Sequence, residues 1–147
     1  MNLFNSLEIS ASALSAERQR SEVVAANLAN AETTRTEAGG PFHRREVVFR
    51  SAGQPFGLTL ANAVNGGGGK AGGVEISDVI DDPTPPIMRY EPGHPDANQD
   101  GYVAYPAINP VSEMVDLEDS VRAYQLNASA VSATKQMIQQ SFDVLKS

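Results

Sequence analysis

The sequence PVSEMVDLEDSVRAYQLNASAVSATKQMIQQSFDVLKS, residues 110–147, decides the fold because apolar residues recur in it at seven-residue intervals. One row consists of Leu117, Tyr124, Val131, Ile138 and Leu145. A second row, three residues earlier along the chain, consists of Met114, Val121, Ala128, Lys135 and Phe142. Rows with this spacing lie on one side of an α-helix. The pattern therefore predicts a long helix whose apolar stripe needs a partner to cover it.

Two polar side chains within these rows each admit two interpretations. Lys135 either packs its aliphatic stem while its ammonium group reaches water, or controls the register of helix pairing. Tyr124 either fills a core or places its hydroxyl group against a partner subunit.

The start of this helix is marked by its capping residues. Asn109 is predicted to be the N-cap and Pro110 the first helical residue, because asparagine caps the free amides of the first turn and proline tolerates this position. Glu113 and Asp116 place negative charge near the positive end of the helix dipole. No residue after Pro110 predicts an interruption of the helix.

A second helix is predicted at the N-terminus, beginning within residues 2–6 and ending near Asn30. Asn27 and Asn30 stand near its end, where asparagine tolerates the left-handed conformation that stops a helix. Its stripe is weaker, since Glu17, Arg18 and Ser21 interrupt it. We call the apolar positions of the two helices the predicted seam, expected to be buried between helices or between copies: Leu7, Leu14, Val24, Leu28, Met114, Leu117, Val121, Tyr124, Val131, Ile138, Phe142 and Leu145.

Short strand-like runs separated by glycine and proline lie between the helices. Alternating apolar residues predict strands at 45–50, around 58–60 and at 74–80, and residues 88–90 and 102–105 predict a hairpin with a long loop. The glycines at 66–69 predict a flexible link. A phosphate-binding loop is disfavoured there because Lys70 is followed by Ala71 and not by serine or threonine.

The expected fold class is mainly α with a small β-rich middle, in which the N- and C-terminal helices pair as a coiled coil. The expected organisation is an N-terminal helix at 1–32, a turn- and strand-rich segment at 33–109 and a C-terminal heptad helix at 110–147. At 147 residues the chain fits one ordinary domain with extensions.

Composition narrows the classes of partner. The formal net charge of −7 disfavours sequence-independent attraction to nucleic acid or to anionic lipid, because both require a basic surface. The chain has no cysteine, so it uses neither disulfides nor thiolate chemistry. The N-terminus lacks the pattern of a cleavable secretory signal, and no run approaches the length of a membrane span.

One loop resembles the first half of a calcium site, with candidate ligands at Asp96, Asn98 and Asp100 and a glycine at the sixth position. The twelfth position is Ala107 instead of a bidentate glutamate, so an ordinary Asx turn is the favoured interpretation. The two histidines show no metal or triad spacing, and no residues indicate catalysis. No cofactor is expected.

The end of the first helix carries a family resemblance, in the motif Asn27, Leu28, Ala29, Asn30 and Ala31. This motif resembles the signature of the bacterial flagellar axial (rod and hook) proteins. Further resemblance lies at 33–42, 90–95, 100–103 and 109–116, and it covers nearly the whole chain. Thr33, Thr34 and Arg35 follow the motif, and the middle segment is short, as is typical of the proximal rod type and not of the hook.

The resemblance implies a structural subunit of the flagellar basal-body rod, which serves motility. Such a subunit is exported by the flagellar type III secretion system without a cleaved signal peptide and is assembled helically in the periplasm. The implied partners are other copies of the chain, the rod proteins FlgB, FlgF and FlgG, FliE at the MS-ring junction and the export apparatus. The alternatives are a different axial subunit, such as another rod protein, or a calcium-binding surface module.

Overall fold

The computed structural model describes residues 3–53, 64 and 72–146. The order of the described elements is α1 (Leu3–Ala29), β1 (Arg45–Ser51), β2 (Val74–Asp81), β3 (Ile87–Tyr90), β4 (Tyr102–Tyr105) and α2 (Pro110–Lys146). Two long helices therefore enclose a small β-containing middle in the sequence, and the predicted fold class is confirmed.

The ends of both helices follow from local capping. Oδ1 of Asn109 accepts a hydrogen bond from the Val111 amide at 3.0 Å, and α2 begins at Pro110, as predicted. At the end of α1, the backbone amide of Asn30 donates to the carbonyl of Ala26 at 3.1 Å, and its side-chain Nδ2 donates to the same carbonyl at 2.8 Å. Asn30 thus closes the last turn with its backbone amide, and its side chain adds a second hydrogen bond to the same carbonyl. The left-handed stop expected at Asn27 and Asn30 is wrong, because no non-glycine residue in the described part of the chain has a positive φ.

Strands β1 and β2 pair in a two-stranded sheet, which confirms the strands predicted at 45–50 and 74–80. The amide of Ala52 donates to Gly73 O at 2.8 Å, and the amide of Asp82 donates to Arg44 O at 2.7 Å, so the strands are antiparallel. The strand predicted around residues 58–60 and the glycine link at 66–69 lie outside the described residues.

Ser12 fixes α1 against the start of β2. Its hydroxyl donates to the Ile9 carbonyl at 2.7 Å and accepts a hydrogen bond from the Val74 amide at 3.1 Å. A Cβ atom on Gly73 would lie 2.6 Å from Oγ of Ser12, closer than real contacts allow. Glycine at position 73 therefore permits this approach.

Strands β3 and β4 form the predicted antiparallel hairpin, with Ile87 opposite Tyr105 and Tyr90 opposite Tyr102. Gly101 has φ of +80°, and a Cβ atom there would lie 3.0 Å from Cε2 of Tyr90. Only glycine meets both conditions without strain. The buried face of the hairpin carries Val103, which is fully buried, and Tyr105.

The described residues fall into two compact units. The first contains α1 up to Gln19, α2 from Ser120 onward, and described residues between Phe49 and Ser77. The second contains the chain from Arg20 to Val48 and from Asp78 to Asp119. The buried apolar residues of the second unit are Val24, Val103, Tyr105 and Ile108, and Ala16 is buried in the first unit.

The two helices run antiparallel. Within the second unit, Asn27 near the end of α1 contacts Glu113 in the first turn of α2, and Arg20 lies 3.8 Å from Asp116. Within the first unit, Leu3 lines the same groove as residues 137–144 of α2. Pairing of the terminal helices therefore occurs within one chain.

The most buried row of α2, which we call the inner row, is polar and was not predicted from the apolar pattern. It consists of Glu113, Ser120, Asn127 and Thr134, spaced by seven residues. Glu113, Ser120 and Thr134 are buried and Asn127 is half-buried. This row lies one residue before the Met114 row, so α2 is rotated by about 100° from the orientation that would bury Met114.

The predicted seam is divided by this rotation. Val24 is buried, and Leu7, Leu14, Leu28, Leu117, Val131 and Ile138 are half-buried. Met114, Val121, Tyr124 and Phe142 are exposed, as is Lys135. The side chain of Leu145 lies outside the described residues. The outward half of the seam is therefore available to other molecules.

Candidate assembly site

Asn27 is a fully buried polar residue of the second unit. Its Nδ2 donates to the Arg45 carbonyl at 2.9 Å, and its Oδ1 accepts from the Arg45 amide at 2.9 Å. The side-chain amide therefore pairs with the backbone of the first β1 residue as a neighbouring strand would. A buried backbone amide and carbonyl both require such partners.

Asn27 also joins α1 to α2. Its Nδ2 donates to Oε2 of Glu113 at 3.1 Å, and the other carboxylate oxygen accepts from Nε of Arg44 at 2.6 Å. We call Asn27, Arg44, Arg45 and Glu113 the polar junction. These four residues connect α1, β1 and α2, which are distant in sequence.

Charge balance explains how Glu113, only 1% exposed, is tolerated. A buried carboxylate is costly unless it is paired and hydrogen-bonded. Arg44 supplies the opposite charge and also contacts Glu46 and, at 3.6 Å, Asp116. Burial opposes the charge of Arg44, but the hydrogen bonds and negative charges of Glu113 and Glu46 outweigh it and raise the pKa of Arg44.

The sequence placed Asn27 at the end of α1 but did not reveal its partners. Glu113 was expected to interact with the helix dipole, and Arg44 was not singled out at all. The seven-residue row of Glu113, Ser120, Asn127 and Thr134 gave no signal of burial, because these residue types are mostly exposed in folded proteins.

The other residues of the family motif have different surroundings. Asn30 caps α1, and its Oδ1 accepts a hydrogen bond from the Thr33 hydroxyl at 3.2 Å. Leu28 and Ala31 are half-buried, whereas Ala29 is exposed. The motif thus combines one buried connector, Asn27, with one helix cap.

The side chains of two of the three candidate calcium ligands, Asp96 and Asn98, have protein partners. Asp96 accepts a hydrogen bond from the Thr34 hydroxyl at 2.8 Å and lies 3.7 Å from Arg35. Oδ1 of Asn98 accepts from the backbone amides of Asp100 and Tyr102, each at 2.9 Å, which is an Asx turn. In the described part of the chain, no group of three or more histidine, aspartate and glutamate side chains is placed to hold a metal ion.

A second feature is the apolar surface that α2 exposes. We define the outer surface of α2 by its exposed large apolar residues: Val111, Met114, Val115, Val121, Tyr124, Leu126, Met137, Phe142 and Val144. Their exposed fractions range from 42% for Tyr124 to 74% for Val144. Extended apolar exposure on a soluble protein marks an interaction surface. Among the described helices, none is long and apolar enough to span a membrane.

Comparison with known proteins identifies the family. A family model described as flagella basal body rod protein matches residues 7–35, and one described as flagellar basal body rod FlgEFG protein C-terminal matches residues 99–144. The flagellar basal-body rod protein FlgC of Bacillus subtilis (strain 168) is 41% identical over 150 residues, covering 99% of this chain and 100% of that protein. The chain belongs to the FlgC family of flagellar basal-body rod proteins.

Other FlgC proteins match over similar lengths. FlgC of Borreliella burgdorferi is 33% identical over 153 residues, covering 99% of both chains, and FlgC of Yersinia enterocolitica is 37% identical over 138 residues, covering 94% of both. This FlgC-family chain is thus a structural subunit of the flagellar basal-body rod and assembles with other rod components. The family comprises structural proteins and not enzymes, and the comparisons give the calcium alternative no support.

The two matched regions meet at the polar junction. Residues 7–35 contain Asn27, and residues 99–144 contain Glu113. The hydrogen bond between these side chains therefore links the two parts of the chain that the family models describe.

Proposed function

We propose that this FlgC-family subunit forms part of the wall of a helical tube, in which the α1–α2 pair lies inside and the β-containing segment lies outside. In this arrangement the rod serves as drive shaft for torque transmission and as export channel. The observation that carries the proposal is the outer surface of α2. Its apolar side chains are exposed, and the described part of the chain does not bury them.

The energetics favour burial against neighbouring subunits. Burying a valine, leucine or phenylalanine side chain contributes roughly 1.5–3 kcal/mol. A contact between different surfaces of successive subunits does not close on itself and therefore generates a helical array. Close-packed helix contacts resist sliding because displacement sacrifices dispersion energy, and this resistance transmits torque.

Membership of the family supports the following proposal for the delivery and the neighbours of the subunit. The chain passes unfolded through the flagellar type III export apparatus, with no signal peptide removed, and assembles in the periplasm. Its neighbours are other copies, the rod proteins FlgB, FlgF and FlgG, and FliE at the MS-ring junction. The predicted seam supplies residues for these contacts through Met114, Val121, Tyr124 and Phe142.

The test places a charge on the outer surface. Val121→Asp and Phe142→Asp alter exposed side chains, so the free subunit is expected to keep its helical content by circular dichroism. Burying the new charge in the rod is unfavourable, and we expect swimming and the number of isolated basal bodies to fall at least about tenfold.

The matched control is Ser129→Asp, which adds the same charge to an exposed position of the same helix, about 80° from Val121 and about 140° from Phe142 around the helix axis. It should leave swimming within about twofold of the unmodified chain, since serine at this position contributes little apolar area. Normal rods in both outer-surface variants would contradict the proposal. A loss of rods in the control alone would place the assembly surface elsewhere on α2.

A further inference from the structure

Strand β3 carries backbone hydrogen-bonding groups that point away from its partner strand. The Glu91 amide donates to the Gly101 carbonyl at 2.9 Å, just beyond the pair in which Tyr90 stands opposite Tyr102. In an antiparallel ladder, hydrogen-bonded pairs alternate with pairs that are not hydrogen-bonded. The N–H and C=O groups of Met88 and Tyr90 therefore point outward, on the side of β3 away from β4.

The two edges of the hairpin differ in how these outward groups are treated. On β4, the amide of Tyr102 donates to Oδ1 of Asn98 at 2.9 Å, and its carbonyl accepts from the Asn98 amide at 2.8 Å. On β3, the outward groups of Met88 and Tyr90 have no hydrogen-bond partner among the described residues, and β3 pairs with β4 alone. An open strand edge is a template for another extended chain. We call Met88, Arg89 and Tyr90 the open edge.

Prolines limit the length of the open edge. Outward groups recur at every second residue, so the next such positions are Pro86 before Met88 and Pro92 after Tyr90. Proline has no N–H to donate. The open edge therefore has room for a paired segment of about three residues.

The side chains beside the open edge are apolar on one face and basic on the other. Met88, Tyr90 and Tyr102 share one face of the hairpin and are 52%, 65% and 42% exposed. Arg89 lies on the opposite face, with its guanidinium group 4.5 Å from the centre of the Tyr105 ring. In the part of the chain that the structure describes, no carboxylate forms an ion pair with Arg89.

This arrangement favours a particular pattern in an added segment. A segment paired with Met88 and Tyr90 places its central residue directly opposite Arg89, in the type of pair whose side chains are closest. An opposite charge stabilises such a pair, and a like charge destabilises it. Apolar residues on either side of the central one lie beside Met88 and Tyr90. The open edge therefore fits an extended segment with an acidic residue between two apolar residues.

A second copy of this chain is a poor source of that segment. Residues 74–76, which are valine, glutamate and isoleucine, have the pattern, but they belong to the β1–β2 sheet, and Glu75 pairs with Arg50 at 2.8 Å. Two antiparallel β3 strands that pair both outward residues place one Arg89 opposite the other, and like charges repel. A different protein is therefore favoured as the source.

We propose that the open edge of β3 adds an extended segment of a different rod component, with an acidic residue opposite Arg89 and an apolar residue on either side of it. The inference rests on the proposed function, since it assigns one contact of the assembled subunit. Backbone hydrogen bonds of Met88 and Tyr90 hold the segment, and the neighbouring side chains select its sequence.

Hydrogen exchange tests the backbone contact directly. Exchange at single amides is compared between the free subunit and isolated basal bodies that contain it. We expect exchange of the Met88 and Tyr90 amides to slow by at least about hundredfold in basal bodies, because these groups gain partners only there. The control is the amide of Gly93, an exposed loop residue, which should change by less than about threefold.

The exchange result separates this inference from the proposed function. Rapid exchange of Met88 and Tyr90 in basal bodies that contain the chain would overturn the inference and leave the rod function standing. Absence of the chain from basal bodies would overturn the proposed function itself.

Proline at position 88 blocks the open edge and spares the hairpin, because the Met88 amide takes no part in β3–β4 pairing. We expect Met88→Pro to keep the circular dichroism spectrum of the free subunit and to lower swimming at least about fivefold. The matched control, Met88→Val, keeps the N–H group and should swim within about twofold of the unmodified chain. Normal swimming of a folded Met88→Pro chain contradicts the proposal.

Charge reversal at Arg89 tests the same contact without changing the backbone. Arg89→Glu places a negative charge opposite the acidic residue of the segment, and we expect swimming to fall at least about fivefold. Arg89→Lys keeps the positive charge and should swim within about twofold of the unmodified chain. If Met88→Pro unfolds, this pair of variants decides: equal swimming of Arg89→Glu and Arg89→Lys contradicts the proposal.

Photo-crosslinking identifies the source of the segment. A benzoylphenylalanine residue is placed at position 88 of the full chain, and isolated basal bodies are irradiated. We expect a product that joins the chain to a different protein, at a stretch with an acidic residue between two apolar residues. A product that joins two copies of this chain, or no product, overturns the assignment.

Discussion

Asn27 shows how one side chain can organise three elements. Its amide has one donor group and one acceptor, and the structure uses both against the backbone of Arg45 while Nδ2 also reaches Glu113. No other side chain supplies this combination at the same length. The position of an asparagine near a helix end could be predicted from the sequence, but its function as a connector depends on Arg45 and Glu113, which the chain brings close only on folding.

The Asn27→Ala variant should lose stability through this connection. Removing the amide takes away partners of the Arg45 amide and carbonyl and one donor to the buried Glu113, and we expect the free energy of unfolding to fall by about 2–3 kcal/mol. Urea denaturation followed by circular dichroism measures this change. The control Asn30→Ala removes the side-chain hydrogen bonds at the C-terminal end of α1 and should lower the free energy of unfolding by only about 1 kcal/mol. Equal effects at the two positions would show that Asn27 acts as a simple helix cap.

Tyr105 gives the hairpin a pH-dependent contribution. Its hydroxyl donates to Glu91 at 3.0 Å, and this bond, followed by burial, raises the pKa of Tyr105 above its ordinary value of 10.0. Because the folded form holds the proton more tightly, the stabilisation is full below about pH 10 and is lost as pH rises through the folded pKa.

The matching variant is Tyr105→Phe, which keeps the ring and removes the hydroxyl. We expect the unmodified chain to lose stability more steeply than this variant as pH rises above about 10, as measured by urea titrations at fixed pH values. Identical slopes for the two chains would mean that the Tyr105 to Glu91 hydrogen bond does not contribute to stability.

The helices and strands differ in how well their bounds and orientation could be predicted from the sequence. The start of α2 at Pro110, the end of α1 and the β3–β4 hairpin depend on residues close in sequence, and they were predicted correctly. The rotation of α2 was not, because the partner that draws Glu113 inward is Arg44, 69 residues away. The apolar pattern gives the period of the helix, but two adjacent rows share that period.

Thr134, the last residue of the inner row of α2, should contribute little to stability. Thr134 is only 7% exposed, and its hydroxyl donates to Ala130 O of its own helix at 2.8 Å, so it forms no cross-helix bond in this interaction. Thr134→Val replaces the hydroxyl by a methyl group and should raise the free energy of unfolding by about 0.5 kcal/mol. The control Ser129→Ala, at an exposed position, should change the free energy of unfolding by less than Thr134→Val does.

Urea denaturation distinguishes the two interpretations of this row. A loss of more than about 1 kcal/mol in Thr134→Val would show that the threonine hydroxyl has a structural role beyond its own helix. The expected gain would show that the polar inner row makes the single chain less stable than an apolar row would. The large apolar residues of α2 then remain exposed for contact with neighbouring subunits.

On the scale of the whole molecule, α2 buries the polar residues Glu113, Ser120 and Thr134 and exposes large apolar residues such as Met114, Val121 and Phe142, while Leu117, Val131 and Ile138 are half-buried. This distribution is unfavourable for an isolated subunit in water and favourable for one surrounded by others. The seam residues Val121 and Phe142 could be recognised from the sequence, but whether they face α1 or another subunit depends on the polar junction. The sequence of a single chain also does not identify the neighbouring subunits in the rod.

The most direct test of this account is a density map of the intact flagellar basal body at a resolution that shows side chains. We expect the chain to be traced in the rod, with Met114, Val121 and Phe142 of α2 packed against neighbouring subunits and Asn27 still bonded to Glu113. A rod that contains the chain but leaves this surface of α2 in solvent, or a rod from which the chain is missing, would contradict the account.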